Sequence, residues 1–347
     1  MPMIDAFNTD TFGTVSLTNS INKLPFKPSR IGQLGLFQSK PIPTTTAVIE
    51  EKAGHLALLD TKRRGEPATV GKAIKRTTRS FVVPHIPHED TITAESIQNI
   101  RSFGSETDLQ TVAQMVNERM TEMKQSHEAT LEFHRLGALK GIVLDADGST
   151  ALFNYFTEYS VSQTTVEMAL ATATTNVHAK LMEVKRAIED ALGLDRGTYS
   201  HIHGLVGSEF WDAFTGHANV KTAYERWRDG EFLRADLRMG FEFGATGVLL
   251  EEYRGTVSGV AFLDPNEAYF FPVGVPNLFT TYFAPADFME TVNTMGKPLY
   301  AKQAPDPSGL NRFVTLHTQQ NPLCMCHRPG VLIKAFQDTE AAASASV

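Results

Sequence analysis

Several groups of side chains in this sequence are of types that do chemistry, and spacing decides what each can do. Cys324, Cys326 and His327 are zinc-binding types, but a structural zinc site needs four ligands, usually as two separated pairs. The second pair would have to come from His85 and His88, or from His201 and His203, far along the chain. Isolated histidines on strands are more often simply packed or exposed. Ser208, between Gly207 and Glu209, lacks the glycine pattern of a nucleophile elbow. Glu251 and Glu252 are adjacent in an expected strand, so they point to opposite faces, which ill suits an acid–base pair. Asp145, Asp147 and Gly148 begin like a calcium loop, but Ser149 stands where the next carboxylate belongs and Phe156 replaces the closing glutamate. Gly240, Gly244 and Gly247 have neither the spacing nor the strand-to-helix context of a phosphate-cradling loop. The expectation is a protein with no catalytic residues, no bound metal and no cofactor.

Composition narrows the remaining classes. The 347 residues carry a net charge of -7, which argues against a globally basic coat for nucleic acid. The length suggests roughly two domains, with ample apolar content for a core. No apolar run reaches membrane-spanning length, and residues 1–10 lack the basic and apolar regions of a signal peptide. Folding in the cytoplasm is therefore expected. Cys324 and Cys326, two apart in an expected strand, would close a strained ring and are read as reduced thiols.

The elements that position everything else begin with one long helix, expected over 105–140. Leu109, Val112, Val116, Met120, Met123, His127, Leu131, His134 and Ala138 recur at steps of three and four, which stacks them along one face. Arg119, Glu122, Lys124, Glu128 and Glu132 fall on other faces. Ser105 and Asp108 suit a cap, and Gly137 and Gly141 mark the end. At 1.5 Å per residue such a rod spans on the order of 50 Å. Its neighbours in the sequence are less regular. Through residue 50, short apolar pieces that include Leu24, Phe26, Leu36 and Phe37 are interrupted by Asn, Thr, Ser, Pro and Gly. This is an arm, either a solvated tail or a segment laid over another surface.

Thr44 to Ile49, His55 to Leu59, Thr69 to Ile74 and Arg79 to Ile86 have strand composition. Between Lys52 and Arg79 the ribbon carries Lys62, Arg63, Arg64, Lys72, Lys75 and Arg76 as well, against only Asp60 and Glu66. A basic ribbon is thus expected in an acidic chain. A two-stranded ribbon is marginal alone, so it would lie on nucleic acid phosphates or on an acidic neighbouring subunit; a solvated charged hairpin is the third reading. Further along, Ile142–Leu144 with Leu152–Tyr155 reads as a hairpin, Val177–Leu192 as a second amphipathic helix stopped by Gly193, and Ile202–Val206 as a strand. Phe210–Phe214 and Val220–Trp227 read as short helices, and Phe241–Tyr253 as a strand bent at glycine. The strands Val257–Leu263, Ala268–Pro272, Phe279–Phe283, Leu323–His327 and Val331–Phe336 complete a β-rich half.

The order of these pieces resembles the major capsid protein E family of tailed bacteriophages, the lambda-like branch of the HK-ninety-seven capsid fold. The resemblance covers almost the whole chain. It is carried by Ile21-Asn22-Lys23-Leu24-Pro25, Ile31-Gly32-Gln33-Leu34-Gly35-Leu36-Phe37, Arg101-Ser102-Phe103-Gly104, Phe283-Ala284-Pro285-Ala286-Asp287, Glu290-Thr291-Val292-Asn293-Thr294 and Gln320-Asn321-Pro322-Leu323. It implies an α+β chain with an N-terminal arm (1–50), an extended β-hairpin loop (51–90) and a peripheral domain (91–165) built on a spine helix. An axial domain (166–262), returning strands (263–337) and a flexible tail (338–347) follow. Arm, ribbon and rod all present surface that one subunit could not cover and a closed lattice would.

The function expected on this basis is a non-enzymatic major capsid protein that self-assembles into hexamers and pentamers of an icosahedral head enclosing double-stranded DNA. Scaffolding, portal and possibly decoration proteins would be its partners, DNA would be enclosed without sequence specificity, no membrane would be involved, and assembly would occur in the host bacterial cytoplasm. The ribbon residues Lys62, Arg63, Arg64, Lys72, Lys75, Arg76 and Arg79 and the arm residues Leu24, Phe26, Leu36 and Phe37 are the expected inter-subunit contacts. Leu109, Val112, Val116, Met120 and Met123 are expected to pack the helix. An encapsulin-like compartment shares the fold class and would be told apart by its cargo; a metal-dependent hydrolase is the rival of a different class.

Overall fold

An apolar stripe at helical spacing needs something to bury it, and in this protein three separate packings do so along one helix. The computed structural model describes residues 17–18, 21–22, 30–53, 75–96, 112–227, 241–242, 246–257 and 259–338. Within them the chain forms α1 (Arg30–Gln33), β1 (Gln38–Pro41), β2 (Thr46–Ala53), β3 (Lys75–Val82), β4 (Ile86–Thr93), α2 (Val112–Lys140), β5 (Ile142–Leu144) and β6 (Ala151–Asn154). It continues with α3 (Tyr155–Tyr159), β7 (Thr164–Glu167), α4 (Val177–Leu192), β8 (His201–Val206), α5 (Ser208–Gly216), α6 (Ala218–Trp227), β9 (Phe241–Glu242), β10 (Val248–Glu252), β11 (Thr256–Val257) and β12 (Val260–Ala261). The last strands are β13 (Glu267–Val273), β14 (Phe279–Phe283), β15 (Tyr300–Pro305), β16 (Phe313–Gln320), β17 (Pro322–Cys326) and β18 (Ile333–Phe336).

The long helix α2 holds the expected stripe inside. Val116, Met120, Met123, His127, Leu131, His134 and Ala138 are all buried. Its amino-terminal half packs Met115, Val116, Met120 and Met123 against Leu17, Ile21, Ile92, Leu299, Ala301 and Leu316. Leu131 and Ala138 join a second cluster with Ala47, Phe81, Val143, Tyr155 and Leu323. Leu136 and Leu139 enter the largest core, beneath α4 and a six-stranded sheet. Of the charged residues on the other faces, Glu132 and Lys124 are buried, because the arm lies over them. The Ile31 backbone N–H donates to Glu132 at 2.7 Å, and the Lys124 ammonium donates to the Ile21 carbonyl at 3.1 Å. The expected start, Ser105 to Thr111 with Leu109, lies outside the described residues.

Two glycines shape the carboxy-terminal end of the helix. At Gly137, still helical, a Cβ would stand 2.8 Å from the Val143 Cα and 2.9 Å from the Ile142 carbonyl oxygen. The missing side chain is what lets β5 fold back so tightly. Gly141 follows the last turn at φ +85°, a conformation that suits glycine. The next helix in the main core, α4, follows its pattern residue by residue: Val177, Leu181, Val184, Ile188 and Leu192 are buried, Asn176 caps it by accepting from Ala179 N, and Gly193 stops it.

Six sheets organise the rest of the described residues. The largest runs β7-β18-β13-β8-β10-β9, with β8 parallel to β10 and antiparallel to β13. A three-stranded sheet, β1-β14-β17, sets residues 38–41 parallel to 280–283. Another, β15-β16-β4, sets residues 86–93 antiparallel to 313–320. The remaining sheets are the hairpins β2-β3, β5-β6 and β11-β12. The strand expected over Arg79–Ile86 divides in two at Val83, Pro84 and His85, since proline has no N–H to continue a ladder. Strands β15 and β16 and the helix α3 were not anticipated.

Candidate assembly surface

The ribbon leaves the body on a two-faced root. Residues directly opposite in an antiparallel pair share a face, and Ala47 opposes Phe81 while Thr46 opposes Val82. The first face is buried: Phe81 meets the rings of Phe153, Tyr155 and Tyr159 at centroid distances of 6.2, 6.1 and 6.5 Å. Arg79 belongs to that inward face. Its Nε donates to the Glu158 carbonyl at 3.0 Å and its guanidinium sits 4.6 Å above the Tyr159 ring. Arg79 therefore anchors the root to its own chain. Lys75 and Arg76 stand on β3, in register with Ala53 and Lys52. Lys62, Arg63, Arg64 and Lys72 lie outside the described residues, as do Leu24 and Phe26 of the arm.

The described arm is tied to its own molecule. Leu36 and Phe37 pack against the main core, with Phe37 5.3 Å from the Phe279 ring and the Arg135 guanidinium 5.6 Å from Phe37. Both remain partly exposed in the single subunit. Just upstream, Arg30 makes a two-pronged contact with Glu251, Nε to Oε1 at 2.5 Å and Nη2 to Oε2 at 2.8 Å. His203, fully buried in β8, places Nε2 3.2 Å from the same Oε2. Burial alone would raise the Glu251 carboxyl, but the nearby His203 ring and the Arg30 guanidinium outweigh it and hold it below its ordinary value. Sequence reasoning missed this clamp. Alternation gave no signal for it: Val248 and Leu250 are the buried alternate positions of β10, which would set Glu252 on their face, yet Glu251 is the carboxylate that is buried.

Of the packing residues, Val116, Met120 and Met123 are buried as expected; Val112 is the first residue of α2, and Leu109 lies beyond the described set. Of the candidate chemical groups, Cys324, Cys326 and His203 lie in the interior, while His85, His88 and Asp147 are exposed. Cys324 and Cys326 are free, buried thiols, pushed up to about 11 and about 12 chiefly by burial. His327 donates to or accepts from the Thr280 hydroxyl at 3.1 Å, and burial lowers it to about 4. Among the described residues no group of three His, Cys, Asp or Glu side chains could hold a metal ion, and no helix is long and apolar enough to cross a membrane. Asp147 binds its own turn, accepting from Ser149 N and Thr150 N at 2.9 Å each.

The profile of the family described as phage major capsid protein E matches residues 13–337, nearly the whole chain. The chain belongs to the phage major capsid protein E family. This capsid protein is 28% identical over 343 residues to the major capsid protein of Pseudomonas phage KPP10, covering 94% of this chain and 97% of that one. It is 25% identical over 369 residues to the major capsid protein of Salmonella phage Felix O1, covering 95% and 97%. Among solved structures it is similar to the putative capsid protein of an Escherichia coli CFT073 prophage, with TM-score 0.56 at 13% identity over 94% of this chain and 99% of that one. The mature capsid of bacteriophage PhiM1 gives TM-score 0.51 at 14% identity over 87% and 85%. At such identities the likeness concerns fold, and the fold is the HK-ninety-seven-like α+β capsid fold expected from the sequence.

Proposed function

We propose that this capsid protein forms the icosahedral head shell of a tailed bacteriophage by assembling into hexamers and pentamers around double-stranded DNA. The observation that carries the reading is the family match along residues 13–337, joined to the antiparallel pairing of 46–53 with 75–82 at the root of the ribbon. In this reading residues 1–50 are the arm, 51–90 the extended loop, 91–165 the peripheral domain and 166–262 the axial domain. The strands of 263–337 return through both domains, and 338–347 form the tail. Assembly takes place in the bacterial cytoplasm with scaffolding and portal proteins as partners, and the subunit acts through conformation rather than catalysis.

The basic ribbon tip rests on acidic side chains of an adjacent copy, since the chain as a whole is acidic and unlike charges across an interface fix register. Reversing Lys62, Arg63, Arg64, Lys72, Lys75 and Arg76 to glutamate is expected to leave a folded subunit by circular dichroism and to abolish shells in electron micrographs. Normal shells from that variant would remove the ribbon from this role. Analysis of particle contents separates a genome container from an encapsulin-like compartment.

A further inference from the structure

We propose that the loop between β14 and β15, together with the outward face of the adjoining ribbon root, is a contact surface for a second copy of this chain. The inference rests on the shell-subunit reading and goes beyond it by naming where copies meet. In this loop Met289, Val292 and Met295 are 89%, 57% and 61% exposed. On the ribbon root, Val48 and Val82 share the face opposite Phe81 and are 62% and 68% exposed.

The loop is held rather than slack. Residues Met289–Thr291 form a 3-10 turn, the Thr291 hydroxyl donates to the Ala286 carbonyl at 2.7 Å, and the Thr294 hydroxyl donates to the Thr291 carbonyl at 2.7 Å. Glu290 pairs with Lys302 at 2.7 Å. Both ends are fastened beside the ribbon. Gly296 N donates to the Ile42 carbonyl at 3.1 Å. Asn321 bridges the other end, with Oδ1 2.9 Å from His85 Nδ1 and Nδ2 donating to the Pro285 carbonyl at 2.7 Å. Loop and root are therefore neighbouring, pre-shaped segments that present apolar side chains to water. Five large apolar side chains exposed on two adjoining segments are the kind of surface that an interaction covers.

A second copy is the fitting occupant because a capsid subunit is surrounded by copies of itself. Rings of five and of six bring the same neighbour in at two angles, and a surface serving both must refit. Methionine, unbranched and with three rotatable bonds, does that where a branched side chain would not.

Methionine oxidation tests the proposal directly. Full-length subunits and assembled particles are exposed to dilute hydrogen peroxide, and sulfoxide at each methionine is followed by peptide mass spectrometry. Met289 and Met295 are expected to oxidise about tenfold or more slowly in particles than in subunits, with Met325 slow in both. Equal rates at Met289 and Met295 in the two samples would overturn the proposal, whether the loop faces solvent or a different protein. The double variant Met289→Glu, Met295→Glu is expected to keep the melting temperature of the subunit while lowering particle yield about tenfold or more, since charge would be buried at the contact. Undiminished yield would also overturn it. If the unmodified chain forms no particles at all, the shell-subunit reading itself fails, and this inference with it.

Discussion

At Glu251 one carboxylate holds together three parts of the molecule that are far apart in sequence. Arg30 comes from the arm, His203 from the middle of the large sheet, and Glu251 itself from β10. Removing the carboxylate leaves a fully buried imidazole and a partly buried guanidinium without their shared acceptor, so Glu251→Ala is expected to lower stability by about 1.5–3 kcal/mol, read as a lower urea midpoint. The buried histidines make a separate prediction. His127 and His134 are lowered from 6.5 to about 4, both mainly by burial; His88 and His317 add to the effect at His127, while Asp145 opposes it at His134. His127 Nε2 lies 3.0 Å from the Thr318 hydroxyl oxygen, which in turn donates to the His88 carbonyl, so this nitrogen is the one that carries the proton in neutral His127. A base with a folded-state value below its unfolded value binds fewer protons when folded, so stability falls as pH drops through the window from about 6.5 to about 4. Urea midpoints measured from pH 7 to pH 4.5 are expected to decline, and to decline less steeply in His127→Gln.

Between elements, close approach matters more than local preference. Alanine is favoured over glycine inside a helix by about 1 kcal/mol, which on propensity alone makes Gly137→Ala stabilising. The backbone of β5 stands where the new methyl would go, and backbone cannot swing aside as a side-chain tip can. The expected outcome is a lower melting temperature for Gly137→Ala, measured by circular dichroism; a higher one would show that β5 yields easily. Such approaches are illegible in a sequence, whereas periodic elements are not. The stripe of α2 and the pattern of α4 were readable because a single face of each is buried at constant spacing. Strands β15 and β16 were not, because burial along Tyr300–Pro305 fades from buried to exposed and along Phe313–Gln320 it becomes continuous only at the end. The buried state of Glu132 was equally hidden, since its partner, the Ile31 N–H, is a backbone group supplied from 101 residues away. The depth of the two cysteines in the core was not legible from their spacing either.

For the molecule as a whole, the decisive feature is that α2 enters all three hydrophobic clusters. No cluster can melt without releasing part of a helix that the other two also need. Heating the isolated subunit is therefore expected to give one transition, with coincident curves from calorimetry, far-ultraviolet circular dichroism and tyrosine fluorescence; separated transitions would mean that the clusters open independently. The paired strands carry this interdependence back into the life of the polypeptide. Residues 38–41 wait for 280–283, and residues 86–93 wait for 313–320. During translation the early segments thus leave the ribosome long before their partners are made, and pairings so distant form late. A chain that stops short of residue 280 has no partner for residues 38–41, and one that stops short of residue 313 has none for residues 86–93, so both sheets close only when nearly the whole polypeptide has been made.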